Sequence, residues 1–405
     1  MKNRVSVEDA RRLLLEKVRC VEEETAPLES CGGRILAGDI TALRNVPPFD
    51  RSPYDGYAFR AADSAGASRE TPVTLRVLEE VAAGSLPRFP ITAGTAIRIM
   101  TGAPIPPGAD TVVMYEKTQF TPETVTLFAA AAPGENIVRA GEDMREGSIL
   151  AKAGDLVDAG TLGAAASQGL PSLPVYRKPR VGIISTGSEL IELGQPPEPG
   201  KIYNSNRYLF SALLTWAGCE PEYLGTRGDT AEGIADLIRA GIRRCDAVLL
   251  TGGVSAGDFD LTPAAMELCG AEILFREVDM KPGMACCYGL AEDKLLCGLS
   301  GNPAAAMTGF YAVALPALKK LRGCRRCLPT ELTVTLLDGF GKKSPRLRLL
   351  RGTLELSGGD AGMRLRQEQG NAVLSSAIGC DVMAFVPGGS GPLPPGTKLK
   401  GFLLQ

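Results

Sequence analysis

DAVLLTGGVSAGDFD, residues Asp246–Asp260, decides the fold. Ala247–Leu250 form an apolar run of strand length that breaks into a Gly252-Gly253 turn. Two acidic residues follow, Asp258 and Asp260, and then Thr262-Pro263. Thr is a favoured N-cap and Pro suits the first helical position, so a helix is expected to begin there. A strand, a glycine turn and a helix in that order point backbone N–H groups at an anion. The carboxylates beside the turn have the chemistry to hold a divalent cation.

Strand and helix patterns alternate around this stretch, from residue 179 to 326. VGIIS (181–185) precedes a helix after Asn204-Ser205, and AVLL (247–250) follows the helical pattern AEGIADLIRAGI. LLCGL (295–299) leads into a further helix start at Asn302-Pro303. This alternation predicts a parallel sheet with helices on both faces. Ligands bind such sheets beyond the carboxyl ends of the strands. The residues there are Ser185, Thr186, Gly187 and Glu189, then Gly252, Gly253 and Ser255, then Gly301, Asn302 and Pro303. Most are small or polar, as a cradle for an anionic ligand requires.

Outside this region the patterns change. Ser6 and Asp9 make a capping-box-like pair before the amphipathic run Ala10–Val18. Residues 45–140 are rich in Pro, Gly and short β-branched segments and predict a small β-rich domain. Residues 141–178 carry a short strand and a helix ending at Gly169, and Pro171, Pro174 and Pro179 then mark a boundary. From residue 328 onward, ELTVTLL, RLRLLRGTLEL and DVMAFVP predict a compact all-β module. Four regions result: 1–44 with 141–178, 45–140, 179–326 and 327–405.

Composition narrows the chemistry. A chain of 405 residues is long for one core. A net charge of −2 argues against general nucleic-acid binding. MKNRVSVEDARR is too charged for a signal peptide, and no apolar run is long enough for a bilayer. A cytoplasmic protein without a membrane partner is expected. There is no histidine, which removes the commonest general base and every His-bound metal site. Eleven Cys without secretory context do not form a disulfide framework and read as small hydrophobes. Cys324 and Cys327 lack the second pair of a zinc site, and adjacent Cys286-Cys287 suit a strand.

The ordered motifs carry a family resemblance over nearly the whole chain. RSPYDGYAFR (51–60), IMTGAPIPPGADTVVMYE (99–116) and IVRAGEDMREG (137–147) are followed by GIISTGSEL, KIYNSNRYLF, TGGVSAGDFD, MKPG and SGNPAAAM. In that order they resemble the molybdopterin molybdenumtransferases, the MoeA and gephyrin E-domain family. The resemblance implies an elongated N-terminal domain, an inserted β-rich domain, a MogA-like three-layer α/β domain and a C-terminal β-barrel-like domain. It implies Mg²⁺-assisted insertion of molybdate into adenylylated molybdopterin with release of AMP, in a homodimer whose active site lies between protomers.

By the same resemblance Asp55, Glu189, Asp229 and Asp260 form the catalytic acidic set, with Asp229 and Asp260 on the metal. Thr101, Lys281, Arg351 and Ser375 join the strand-end residues in binding substrate. Each has a plainer local reading. DTAEG around Asp229 reads as a turn and cap, and Asp260 and Asp55 read as turn residues. Glu189 reads as a solvated residue in the first turn of a helix, Thr101 as the end of a strand, and Arg351 and Ser375 as surface positions.

Three positions depart from the family pattern. Met284 follows Lys281-Pro282-Gly283 where a second Lys is usual, and Ala305 stands where a Ser is usual. Glu277 stands where a base is common, with Arg276 beside it to compensate. All three are expected near the oxyanion. A divergent paralogue that carries molybdopterin without metal insertion, or that uses tungstate, is therefore the alternative reading.

Overall fold

The computed structural model describes residues 2–228, 230–254, 261–366 and 368–404, with side chains from Arg4 onward. The chain divides into two compact units. One comprises Met1–Gly38, Ala153–Asp158 and Ser172–Gln405, and the other comprises Asp39–Lys152 and Ala159–Pro171.

In the first unit, seven strands form one sheet among the described residues. Their order is Lys2–Val5, Glu272–Val278, Ala285–Ala291, Lys294–Leu299, Ala247–Thr251, Arg180–Thr186 and Glu220–Arg227. Alternate residues of the central strands face opposite layers. Val181, Ile183, Ala247, Leu249 and Cys297 pack with Phe210 and Leu213 of the helix Ser205–Trp216. Ile184, Val248, Leu250 and Leu296 pack with Ile234 and Ile238 of the helix Ala231–Arg244 and with Met266 of the helix Thr262–Leu268. Burial on both faces explains why these strands are apolar throughout rather than alternating.

The sheet is mixed rather than wholly parallel. Ala285–Ala291 runs antiparallel to both neighbours. A two-residue turn, Glu292-Asp293, joins it to Lys294–Leu299 with φ of 50° and 62°. That is type I′ geometry, which favours the twist of a hairpin but is usually announced by Asn-Gly or Asp-Gly. The first strand, Lys2–Val5, was also not legible in the sequence. It pairs parallel with Glu272–Val278 and sets Arg4 opposite Glu277. The helix Val7–Lys17 follows, and the Asp9 N–H donates to the Ser6 hydroxyl at 3.0 Å, as the capping pair predicts.

The helix after the glycine turn begins one residue earlier than expected. Thr262 lies inside it, and its hydroxyl donates to the Gly252 carbonyl at 2.9 Å instead of capping the helix. The C-terminal strands close into a five-stranded barrel around Val334, Leu350, Met363, Val382 and Ala384. All eleven Cys are free. Cys286, Cys287 and Cys297 lie in sheet strands, and burial pushes the Cys287 thiol up to about 12, which makes it a poor thiolate.

The second unit holds a six-stranded sheet apolar on both faces. Ala58, Ile97 and Val112 pack on one side, and Tyr57, Phe59, Ala96 and Val125 on the other. Among the described residues no helix is long and apolar enough to cross a membrane.

Candidate active site

The strands Arg180–Thr186, Ala247–Thr251 and Lys294–Leu299 end together, and a cavity of about 1250 Å³ opens beyond their carboxyl ends. Parallel register sets the floor: Ser185 lies opposite Thr251, and Thr251 opposite Leu299. The Thr186 hydroxyl donates to the Thr251 carbonyl at 3.2 Å, and the Gly252 N–H donates to the Leu299 carbonyl at 2.9 Å. The three loops are thereby tied to one another.

Gly252 has to be glycine. Its φ is +101°, and a Cβ would sit 2.6 Å from the Thr186 carbonyl oxygen. Neither the backbone angle nor the space admits a side chain.

Two buried polar atoms at this floor lack a hydrogen-bond partner among the described residues. They are Thr251 Oγ1 and Asn206 Oδ1, and both residues line the cavity. The Asn206 amide donates to the Gly301 carbonyl at 2.9 Å, which aligns the side chain and leaves its oxygen for a ligand. Buried polar atoms normally find partners, so these two mark where a polar ligand belongs.

The charges on the described lining are one-sided. Lys281, Arg346 and Arg348 face a single carboxylate, Glu189. The protein is slightly acidic overall, so the basic character is local, as an anion site requires. Lys281 is positioned by its backbone. Its N–H donates to the Leu347 carbonyl at 2.9 Å, and its carbonyl accepts from the Leu349 N–H at 2.9 Å. The barrel segment thus carries Arg346 and Arg348 onto the loop that carries Lys281. This juxtaposition was not foreseen; the alternating basic residues of RLRLL were its only signal in the sequence.

The structure gathers nine of the expected site residues on this cavity: Thr186, Gly187, Glu189, Gly252, Gly253, Lys281, Gly301, Asn302 and Pro303. Ser185 is buried beneath it, and its hydroxyl donates to Asn204 at 3.1 Å. Glu189 occupies a turn before the short strand Leu190–Ile191, not the first turn of a helix. Asp229, Ser255 and Asp260 lie outside the described residues.

Arg351 and Ser375 are not brought to the cavity. Arg351 is fully buried, which overturns its surface reading. Its guanidinium donates to Ser376 Oγ, Thr308 Oγ1 and the Gly370 carbonyl. Ser375 is exposed on a one-turn segment, Leu374–Ala377.

Two of the three departures do line the cavity, Met284 and Ala305. Glu277 does not. It pairs with Arg4 at 2.5 Å, and Arg276 pairs with Glu267 at 2.5 Å, so neither bears on the cavity charge. The side chain that meets Met284 is Arg346, whose Nη1 lies 2.8 Å from the sulfur.

In the second unit Asp55 and Thr101 form their own small site. They end the antiparallel neighbours Gly56–Phe59 and Thr95–Ile99, where Gly56 lies opposite Ile99. The Thr101 N–H and hydroxyl both donate to one Asp55 oxygen, at 2.7 and 2.8 Å. These bonds hold the Asp55 carboxyl below the usual aspartate range.

Comparison with known proteins gives the same direction. The family described as MoeA N-terminal region (domain I and II) matches residues 5–169, and the probable molybdopterin binding domain matches residues 182–320. The molybdopterin molybdenumtransferase of Bacillus subtilis is 38% identical over 99% of this chain and 94% of its own length. That of Staphylococcus epidermidis is 38% identical over 95% and 92%. The crystal structure of the molybdopterin biosynthesis moeA protein from Pyrococcus horikoshii OT3 superposes with a TM-score of 0.85 at 30% identity, covering 98% of this chain and 99% of that one. With motif order, domain architecture and near full-length identity in agreement, the chain belongs to the molybdopterin molybdenumtransferase family of molybdenum cofactor biosynthesis.

Proposed function

We propose that the protein inserts molybdenum from molybdate into adenylylated molybdopterin and releases AMP, with Mg²⁺ assisting. The observation that carries this reading is the cavity beyond the strand ends, where, among the described residues, three cations and two unpartnered polar atoms meet one carboxylate. Such a wall suits a substrate that is anionic at its phosphates and oxyanion and polar at its ring edges. Lys281 neutralises the phosphate, and Thr251 Oγ1 and Asn206 Oδ1 fix the polar edge of the pterin. The glycine turn leaves room for close backbone approach.

Glu189 fits a hard cation, since Mg²⁺ takes oxygen ligands, and it is the one carboxylate on the described cavity wall. Asp229 and Asp260 complete the acidic set by resemblance. When bound, the ion offsets repulsion between carboxylate and phosphate and polarises the phosphate.

The protein acts as a homodimer in which Asp55 and Thr101 of one copy complete the cavity of the other. The pair is preorganised for that task, because two Thr101 donors fix the orientation of the Asp55 carboxylate. Measuring AMP release from adenylylated molybdopterin, with and without molybdate, tests the reaction. Release that depends on molybdate and Mg²⁺ is expected. Binding without release would favour the carrier reading, which has Met284 and Ala305 on the cavity wall in its support. Sedimentation of a fully active monomer would remove the shared site.

A further inference from the structure

Arg348 is a buried cation without a counter-charge among the described residues. It is 8% exposed, and burial alone pulls its guanidinium down from the ordinary arginine value. Its Nε donates to Ser344 Oγ at 3.1 Å, and its guanidinium carbon lies 5.3 Å from the Phe340 ring centroid. No carboxylate among the described residues pairs with it. The anchor is itself rigid: Ser344 is buried, and its N–H donates to the Ser390 carbonyl at 2.9 Å. A buried charge is retained at a cost unless something opposite to it arrives.

Arg346 lies two residues away and also lines the cavity. Arg346 is held loosely, by the Met284 sulfur and by Asp279 at 4.0 Å.

We infer that Arg348 and Arg346 form a two-arginine wall of the cavity that binds a tetrahedral oxyanion, Arg348 as the fixed fork and Arg346 as the movable one. A guanidinium fork matches two oxygens of such an ion. Phosphate and molybdate share this chemistry. The inference deepens the proposed reaction and rests on it only for the identity of the natural ligand.

The test is calorimetric titration of the full chain with molybdate, with inorganic phosphate and with AMP, for the parent, Arg348→Met and Arg346→Met, together with thermal unfolding of the ligand-free proteins. Arg348→Met is expected to weaken oxyanion binding about 10- to 100-fold. It is expected to raise the unfolding temperature of the empty protein, because an uncompensated buried charge is removed. Arg346→Met is expected to weaken binding less and to leave the unfolding temperature unchanged. A loss confined to molybdate places the metal oxyanion at this wall, and a loss shared by AMP places the nucleotide phosphate there. A lowered unfolding temperature with unchanged affinities would mean that Arg348 only packs the barrel, and would overturn the inference. Should the Met variant fail to fold, Arg348→Lys keeps the charge without the fork, and parental affinity in that variant overturns it equally. Oxyanion binding that depends on Arg348 in a protein that releases no AMP would refute the transferase reading and leave this one standing.

Discussion

Arg177 presents a two-pronged fork to Asp246, with Nη1 2.6 Å from Oδ2 and Nη2 2.6 Å from Oδ1. Asp246 also accepts the Arg180 N–H at 2.8 Å, at the edge where the strands Arg180–Thr186 and Ala247–Thr251 begin. Burial raises the Asp246 carboxyl, but the fork and the N–H outweigh it and hold the group below the usual carboxylate range. A depressed folded value means that this stability is present above the unfolded value and is lost as pH falls through the folded one. Asp246→Asn is therefore expected to cost on the order of 2 kcal/mol near neutral pH. That is less than for a fully buried pair, because Arg177 remains partly exposed. The difference should shrink towards zero only as pH falls through the lowered folded value, below the usual aspartate range, where the parent carboxyl also protonates. Urea unfolding of both proteins across a pH series from neutral into acid checks this. A cost that persists in acid would show that packing, not charge, is responsible.

Thr101 provides the second prediction. Thr101→Val removes the hydroxyl donor but leaves the N–H, so the Asp55 carboxyl should titrate at higher pH in the variant than in the parent. Carbon-detected NMR of the Asp55 carboxyl reads this directly. If Asp55 also serves the chemistry, AMP release should fall about 10-fold, a modest share of what one acid–base group contributes. An unchanged titration would assign the low value to the Thr101 N–H alone.

Gly252→Ala is the sharpest steric test. The φ of +101° and the 2.6 Å approach to the Thr186 carbonyl leave the added methyl no place without backbone movement. A strained position of this kind costs on the order of 1–3 kcal/mol. The tie between the strand ends would be displaced, so affinity for molybdopterin should fall even where the variant remains folded. Circular dichroism and direct binding separate the two effects, and parental binding in the variant would falsify the placement of the pterin at this floor.

Met284→Lys restores a charge that the family pattern contains, yet the structure predicts little benefit. The new ammonium would enter the space already met by Arg346, 2.8 Å from the Met284 sulfur. Repulsion on the order of 1 kcal/mol should offset much of any gain in molybdate affinity, given partial exposure. The same substitution in an Arg346→Gln background should restore affinity. A double-mutant cycle of molybdate affinities checks the coupling. Additive effects would mean that Arg346 and residue 284 act on different parts of the ligand.

The sheet and its cradle were legible because they rest on local pattern. Ala247–Leu250 is apolar on both faces, and Gly252-Gly253 punctuates it, so strand, turn and ligand edge could be placed from a dozen residues. Ser6 and Asp9 were legible for the same reason. The antiparallel direction of Ala285–Ala291 was not, because Glu292-Asp293 adopts a turn that its residue types do not announce. Arg351 shows a different limit. Sequence places it on a β-segment but cannot show that Ser376, Thr308 and Gly370 enclose it, since those partners are distant in the chain. Arg346 and Arg348 reach the cavity by the same kind of long-range pairing, through Lys281 and Leu347. Local signals located the floor of the site, and non-local packing decided its charged wall.

The pairing of Lys2–Val5 with Glu272–Val278 has a consequence for synthesis. The strand Lys2–Val5 finds its neighbour only after some 270 further residues have been made. Until then Val5 and Val7, both buried in the finished protein, have no sheet edge to cover. This segment therefore waits unpaired until Glu272–Val278 has been made, and the α/β unit closes late.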